Sequence, residues 1–195
     1  MTQDEARTIE DSDAPATVAI HQRDEAHAVA EAHEWNGAAL AGRTVTINKP
    51  RAEIYAFWRD FRNLASFMEN IREVSPGPGD VSHWVVEAPA GAKIEWDSRI
   101  TEEQDGRLIA WESVEGSGLR NAGRVEFRDA PPGRGAEVSV TLAYEPPGGE
   151  VGKAFAKLFQ KEPKMQARRD LRRLKQLLET GEIAVSQPPE HPVKG

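Results

Sequence analysis

The sequence predicts an α+β fold, with one curved antiparallel sheet of about seven strands, two short helices after the first strand and one long C-terminal helix. Short segments between residues 43 and 144 alternate apolar and polar side chains, as strands with one buried face do. Apolar side chains recur at helical spacing after the first strand and again beyond residue 150. Turn sequences rich in glycine and proline separate these segments.

Composition narrows the classes of protein to which this chain can belong. Its 195 residues include 38% hydrophobic residues, 29% charged residues and no cysteine. The absence of cysteine excludes a disulfide scaffold, a thiol nucleophile and a cysteine-ligated metal. No run approaches the roughly 18 to 20 apolar residues of a transmembrane helix, and the N-terminal sequence has no hydrophobic signal region. We therefore expect a cytoplasmic protein.

The charge divides the chain into unequal parts. Residues 1–40 carry nine acidic and two basic residues, whereas the other 155 residues carry equal numbers of both. We expect residues 1–40 to form an acidic, mostly disordered extension and residues 41–182 to form the folded domain. Residues 183–195 contain three prolines and are expected to be a flexible tail. A neutral domain argues against a dedicated nucleic-acid-binding function.

The first elements are a strand at 43–47 and two short helices. Proline at position 50 suits the first turn of a helix, and Asn63 is expected to cap the second helix. Each helix has its own apolar face at i, i+3, i+4 and i+7. The first face comprises Ile54, Phe57, Trp58 and Phe61, and the second Leu64, Phe67, Met68 and Ile71.

Further strands are predicted at 82–88, 94–101, 108–114, 124–128 and 136–144, with a hairpin turn at the Asp-Gly pair 105–106. The strand at 108–114 has two alternative phases. One phase directs Glu112 into the interior, where burial would raise its pKa. The other directs Ile109 and Trp111 inward and Glu112 outward, and it is favoured because Trp96 lies on the neighbouring hairpin strand.

A long helix is expected from about residue 150 to residue 179, with Gly181 as its stop. Pro163 separates its two apolar stripes, so a kink or restart is expected there. Residues 152–179 carry nine basic and three acidic side chains. These charges are either simply solvated, or they make transient contact with an anionic membrane surface.

This order of elements resembles the helix-grip fold of the START and polyketide cyclase-like (SRPBCC) superfamily. The resemblance is carried by WRDFRNL at 58–64, by the hairpin KIEWDSRITEEQDGRLIAWES and by VSVTLAYEPPG, and it covers about residues 43–182. The bacterial cyclase/dehydrase and coenzyme Q-binding START-domain proteins are the most similar types. The superfamily also includes lipid carriers and a ribosome-associated toxin.

The sequence contains no motif for a catalytic or metal site. It lacks a G-x-S-x-G elbow, an H-E-x-x-H pair and a P-loop, and its carboxylates are dispersed. We therefore predict no catalytic residue, no metal and no cofactor. His83 is expected at an edge or surface, and the face formed by Glu95, Asp97 and Arg99 is expected to be solvated.

The resemblance and the predicted shape together imply binding or transport of a small hydrophobic ligand, of lipid, quinone or polyketide type, without catalysis. The expected cavity lining is Trp96, Trp111, Phe127, Phe155 and Phe159. One alternative is a polyketide cyclase or dehydratase, which requires an ionisable side chain in the cavity. Another is a ribosome- or protein-interaction module, which requires a contiguous basic surface.

Overall fold

The computed structural model describes residues 39–87, 91, 93–145 and 163–184 of the chain. Within these residues the fold is the α+β class that the sequence predicts, and the elements follow the predicted order with one additional strand, at Ile71–Pro76. The elements are β1 (Ala39–Ile47), α1 (Arg51–Arg59), a 3₁₀ helix (Phe61–Ser66), β2 (Ile71–Pro76), β3 (Val81–Glu87), β4 (Lys93–Gln104), β5 (Leu108–Ser113), β6 (Arg120–Asp129), β7 (Ala136–Glu145) and α2 (Pro163–Thr180).

The seven strands form one antiparallel sheet in the order β1-β7-β6-β5-β4-β3-β2. Consecutive strands from β2 to β7 pair as neighbours, and β1 returns to pair along its whole length with β7, from Ala39 opposite Tyr144 to Ile47 opposite Ala136. The sheet is curled into a half-barrel, and α2 packs against β1. The curl creates the concave face on which the helices lie.

The hydrophobic core lies between this concave face and the helices. Ile109, Val125 and Val138 project from the sheet and are fully buried. They meet Trp58 of α1 and Leu174 of α2, which are also buried. Burial of one such side chain contributes roughly 1.5–3 kcal/mol, so the helices and the sheet stabilise one another through this contact.

The junction between α1 and the 3₁₀ helix differs from the expectation for Asn63. Asp60 precedes the 3₁₀ helix, and its carboxylate accepts a hydrogen bond from the backbone N–H of Arg62 at 3.2 Å. Asn63 Nδ2 instead donates to the carbonyl oxygen of Phe57 at 2.9 Å. Asp60 is therefore the N-cap, and Asn63 satisfies a free carbonyl at the end of α1.

The predicted helical repeat from Leu64 to Ile71 is wrong at its C-terminal end. The 3₁₀ helix closes with the N–H of Phe67 bonded to the Leu64 carbonyl oxygen at 3.2 Å. Ile71 then begins β2, where it pairs with Val86 of β3. A run of apolar residues at helical spacing is here divided between a short helix and a buried strand, because pairing with β3 outweighs local preference.

Strand β6 is four residues longer at its start than predicted. The sequence at 120–123 shows no apolar alternation, so it resembles a loop. In the structure Arg120 pairs with Glu145 and Asn121 pairs with Tyr144 across the β6–β7 ladder. The partner strand therefore sets the start of β6, and it brings Asn121 into the sheet.

Helix α2 is tied to the end of β1 by polar contacts. Glu179 accepts hydrogen bonds from the backbone N–H of Asn48 and from Lys175 Nζ, both at 2.6 Å. Lys175 Nζ also donates to the Thr46 carbonyl oxygen at 2.7 Å. Burial acts to raise the pKa of Glu179, but these hydrogen bonds outweigh it and hold the pKa below its usual value.

The described part of α2 begins at Pro163, and the helix ends at Thr180, before the predicted stop at Gly181. The N–H of Gly181 donates to the Leu177 carbonyl oxygen at 2.9 Å. The expected kink depends on residues before Pro163, which lie outside the described residues. The terminal regions 1–38 and 185–195 also lie outside them.

The turn between β6 and β7 presses against the end of β1, and Gly135 makes this approach possible. Gly135 has φ +81, and a Cβ there would overlap the Ile47 carbonyl oxygen and lie 2.6 Å from Lys49 N. Gly133 in the same turn has φ +79 but open space around it. Of these two glycines, only Gly135 therefore combines a left-handed backbone with a close contact.

We expect Gly135→Ala to lower the free energy of unfolding by at least about 2 kcal/mol, because backbone strain and overlap add. Gly133→Ala carries the backbone strain alone and is expected to cost about 1 kcal/mol. Denaturant unfolding of both variants measures the difference. Equal losses for the two would contradict the role of the Ile47 contact.

Candidate ligand cavity

A cavity of about 160 Å³ lies beside the core, between the concave face of the sheet, the 3₁₀ helix and the first turns of α2. Its wall is almost entirely apolar. Trp58, Trp84, Trp96 and Trp111 line it, together with aliphatic side chains such as Leu119 and Leu142. Four of the five tryptophans of the chain therefore surround one cavity.

Two of these tryptophans form a stacked pair across the β3–β4 ladder. Trp84 lies opposite Trp96, and their ring centroids are 5.7 Å apart with planes inclined by 16°. Each indole N–H donates to a serine on its own strand: Trp84 to Ser82 Oγ at 2.8 Å and Trp96 to Ser98 Oγ at 3.1 Å. The two rings consequently present apolar surface to the cavity.

Trp111 reaches the cavity because its cross-strand partner has no side chain. Gly123 of β6 lies opposite Trp111 in the β5–β6 ladder. A Cβ on Gly123 would lie 2.6 Å from Trp111 Cζ2 and 2.7 Å from the Thr141 carbonyl oxygen. Because Gly123 has no side chain, the indole of Trp111 can lie over it.

Five polar side chains interrupt the apolar wall: Asn70, Asn121, Tyr144, Gln166 and Asp170. Two of them are ionisable, and burial raises the pKa of both. The pKa of Tyr144 rises to about 12, so its phenol is neutral at physiological pH. The pKa of Asp170 rises to about 6.

Asp170 is held at the cavity wall by its surroundings on α2 and the segment after the 3₁₀ helix. Its Oδ1 accepts hydrogen bonds from the backbone N–H of Glu69 at 3.2 Å and from Gln166 Nε2 at 3.0 Å. Burial is the largest influence on the pKa and outweighs these hydrogen bonds, which act to lower it. A carboxyl group whose pKa is near neutrality can donate or accept a proton.

The structure places three of the five predicted lining residues, in two locations. Trp96 and Trp111 are in the cavity wall. Phe127 lies in the core, with its ring centroid 5.4 Å from that of Tyr55 and 6.2 Å from that of Trp58, and it is not among the described lining residues. Helix α1 covers it there. Phe155 and Phe159 lie outside the described residues.

The polar side chains of the wall were not predicted. Asp170 lies three residues after Ala167 and four before Leu174, so it shares the predicted apolar stripe of the helix. An acidic residue on an apolar stripe was therefore an available signal. Asn121 gave no such signal, because it lies between the predicted strands at 108–114 and 124–128.

The charged and titratable side chains that the sequence analysis considered as candidate functional groups lie on the outer face of the sheet. Glu112 pairs there with Arg99, while Ile109 is buried and Trp111 lines the cavity, which confirms the phase that places Glu112 outside. His83 Nδ1 lies 2.8 Å from Asp97 Oδ1, and both side chains are more than 40% exposed. Neither the Glu112–Arg99 pair nor the His83–Asp97 pair lines the cavity.

A second, larger cleft of about 860 Å³ lies on the surface between α1 and the β2–β3 and β4–β5 turns. Its arginines are already paired: Arg59 Nε donates to Glu103 Oε1 at 2.6 Å, and Arg62 bonds both oxygens of Asp60. Because this cleft is open to solvent and lined by charged side chains, the smaller apolar cavity is the stronger candidate for ligand binding.

Sequence comparison now assigns the family. A family described as "Polyketide cyclase / dehydrase and lipid transport" matches residues 40–179. This match includes every described strand from β2 to β7 and both helices except the last residue of α2. The chain belongs to this polyketide cyclase/dehydrase family, as the resemblance of its motifs implied.

Solved structures show the same fold. A protein from Deinococcus radiodurans is 36% identical, with a TM-score of 0.60 over 74% of this chain and 99% of its own. A Thermus thermophilus protein is 24% identical, with a TM-score of 0.56 over 71% of this chain and 95% of its own. The Zhui aromatase/cyclase from a Streptomyces species is 14% identical, with a TM-score of 0.55 over 75% and 99% of the two chains. The last two similarities concern the fold alone.

A curated protein from Streptomyces lincolnensis is 27% identical over 84 residues, which are 43% of this chain. The match spans 55% of that protein, so the chain corresponds to about half the length of this relative. In the part of the chain that the structure describes, neither helix is long and apolar enough to cross a membrane.

The raised pKa of Asp170 predicts a pH-dependent stability. Between its usual value of 3.8 and about 6, the folded state binds more protons than the unfolded chain. The free energy of unfolding therefore falls as pH rises through this range and stays lower above it. Asp170→Asn, which carries no charge, should be more stable than the wild type by on the order of 2 kcal/mol near pH 8, and equal to it near pH 4.

Denaturant unfolding at a series of pH values measures this difference. Asp80→Asn is the control, because it removes a carboxylate from an exposed turn and so reports the loss of a charge that is not buried. A gain for Asp170→Asn that is the same at both ends of the pH range would show that burial of the charge is not its cause.

Proposed function

We propose that this protein binds a small apolar ligand in the cavity between the sheet and α2. The observation that carries the proposal is the enclosure of one cavity by four tryptophans. Its volume of about 160 Å³ is close to the roughly 150 Å³ of an engineered apolar cavity that admits benzene. A compact ring, or the ring of a larger molecule, matches this space.

The chemistry of the wall supports an apolar occupant. Trp84 and Trp96 satisfy their indole N–H groups within their own strands, so the cavity gains aromatic faces without unpaired donors. Apolar surface removed from water contributes roughly 25 cal/mol per Å², which favours a ligand that fills the space. Quinone, polyketide and lipid groups all present such surface, and the family description includes polyketide and lipid chemistry. In this proposal Trp96 and Trp111 contact the ligand.

Toluene provides a direct test, because it is small, apolar and aromatic. We expect it to change the tryptophan emission of the protein saturably, since four indoles border the cavity. Ala167→Leu places a larger side chain in the wall and should weaken binding by about tenfold.

The matched control is Ala56→Leu, the same substitution on the exposed face of α1 at the second cleft. It should leave the affinity for toluene unchanged. Loss of binding in Ala56→Leu, with retention in Ala167→Leu, would place the ligand in the surface cleft and refute the proposal.

A second candidate function is acid–base catalysis on the bound ligand, and Asp170 is the observation that favours it. Its carboxyl group lines the cavity and has a pKa of about 6, so both protonation states are populated near neutrality. In a dehydration one C–H and one C–O bond break, a C=C bond forms and water leaves. Asp170 would carry the proton in such a step.

Mass spectrometry of organic extracts distinguishes the two candidates. Wild type and Asp170→Asn are purified from the native cells and their bound molecules are compared. Ligand binding alone predicts the same molecule in both. Catalysis of dehydration predicts that Asp170→Asn retains a molecule heavier by one water than the one held by the wild type. An empty extract from both, together with no binding of toluene, would contradict both candidates.

A further inference from the structure

We propose that Asn121 makes the cavity selective for a compact aromatic ligand that carries one neutral hydroxyl group. This inference rests on the proposed ligand-binding function and names the class of ligand. It assigns the amide of Asn121 as the group that recognises the hydroxyl.

The side-chain amide of Asn121 is buried in the cavity wall, and its nitrogen is unpaired among the described residues. Asn121 is 4% exposed and lies in the cavity wall. Its Nδ2 has no hydrogen-bond partner among the described residues. Its backbone N–H is satisfied separately, by Ser113 Oγ at 3.0 Å. An unpaired buried amide is unfavourable, so a ligand that bonds to it regains the lost interaction.

A tyrosine lies opposite Asn121 in the sheet. Asn121 of β6 pairs directly with Tyr144 of β7, and both side chains line the cavity. Directly opposed residues in an antiparallel ladder have Cβ atoms about 4.5–5.5 Å apart. The neighbouring wall residues Leu119 and Leu142 are apolar. Asn121 and Tyr144 therefore form a patch of two polar residues in an otherwise apolar part of the wall.

A neutral hydroxyl fits this patch better than a charged group. An amide carries both a donor and an acceptor, and a hydroxyl also donates and accepts, so the two match in either orientation of the amide. A carboxylate would enter an apolar cavity that has no Lys or Arg among its described lining residues. Its charge would lose hydration without a partner, and Asp170 would repel it when ionised.

The experiment compares two probes that differ only by the hydroxyl group, toluene and para-cresol. Their dissociation constants are measured by equilibrium dialysis for the wild type and for Asn121→Leu, which has similar volume and no polar group. The ratio of the two constants in each protein cancels the different hydration of the probes. We expect the preference for para-cresol to fall by about tenfold in Asn121→Leu, while toluene binds at least as tightly as before.

The matched control is Asn48→Leu, the same substitution at an exposed asparagine that does not line the cavity. It should leave the ratio unchanged. Asn121→Ala is measured in parallel, because it removes the amide while leaving more space, and it should show the same loss of preference. Toluene binding by each variant reports that the cavity is intact.

The possible results separate this inference from the function on which it rests. A fall in the ratio for both Asn121 variants and none for Asn48→Leu supports the assignment. Tight toluene binding with an unchanged ratio in Asn121→Leu overturns it and leaves the apolar-ligand function standing. If the wild type binds neither probe, the ligand-binding function fails and the selectivity fails with it.

Discussion

The packing of α2 across the concave face of the sheet is the contact on which the rest of the structure depends. Leu171 and Leu174 bury the helix against the sheet, and Lys175 and Glu179 bond it to the backbone at the end of β1. Since β1 is an edge strand held by β7 alone, this contact also secures the edge. The core lies beneath α1 and α2. A cavity remains beside it, lined but not filled by tryptophan rings.

Two polar groups of the cavity wall, those of Asp170 and Asn121, are unfavourable for stability, and the proposed function gives them a use in recognition. Asp170 is buried enough to raise its pKa to about 6, and Asn121 leaves Nδ2 without a partner among the described residues. A fully apolar wall would be more stable at both positions. Such local departures from the packing rules are expected at functional sites. The two positions lie on different elements, α2 and β6, so a ligand in the cavity can meet both.

The alternation in β4 was sufficient to orient Trp96, because a strand with one buried face has a strict period of two. In β5 the alternation left two phases, and Trp96 on the neighbouring strand favoured the one with Trp111 inside and Glu112 outside. The same reasoning failed at Ile71, where apolar spacing suited a helix but pairing with Val86 made a strand. It also failed at Asn121, whose strand is recognisable only through its partner Tyr144. The sequence showed Asp170 as an acidic residue on an apolar stripe, but it did not predict the cavity that this residue lines.

The sequence by itself determined the α+β class, the order of elements and the inner face of the central hairpin, since these follow from local periodicity and turn chemistry. Its motifs also identified the family. Only the tertiary structure decided which inward side chains fill the core and which border the cavity. Phe127 and Trp111 both face inward, yet α1 covers Phe127, whereas Gly123 leaves Trp111 room at the cavity wall. That difference depends on contacts between distant segments, which local patterns do not encode.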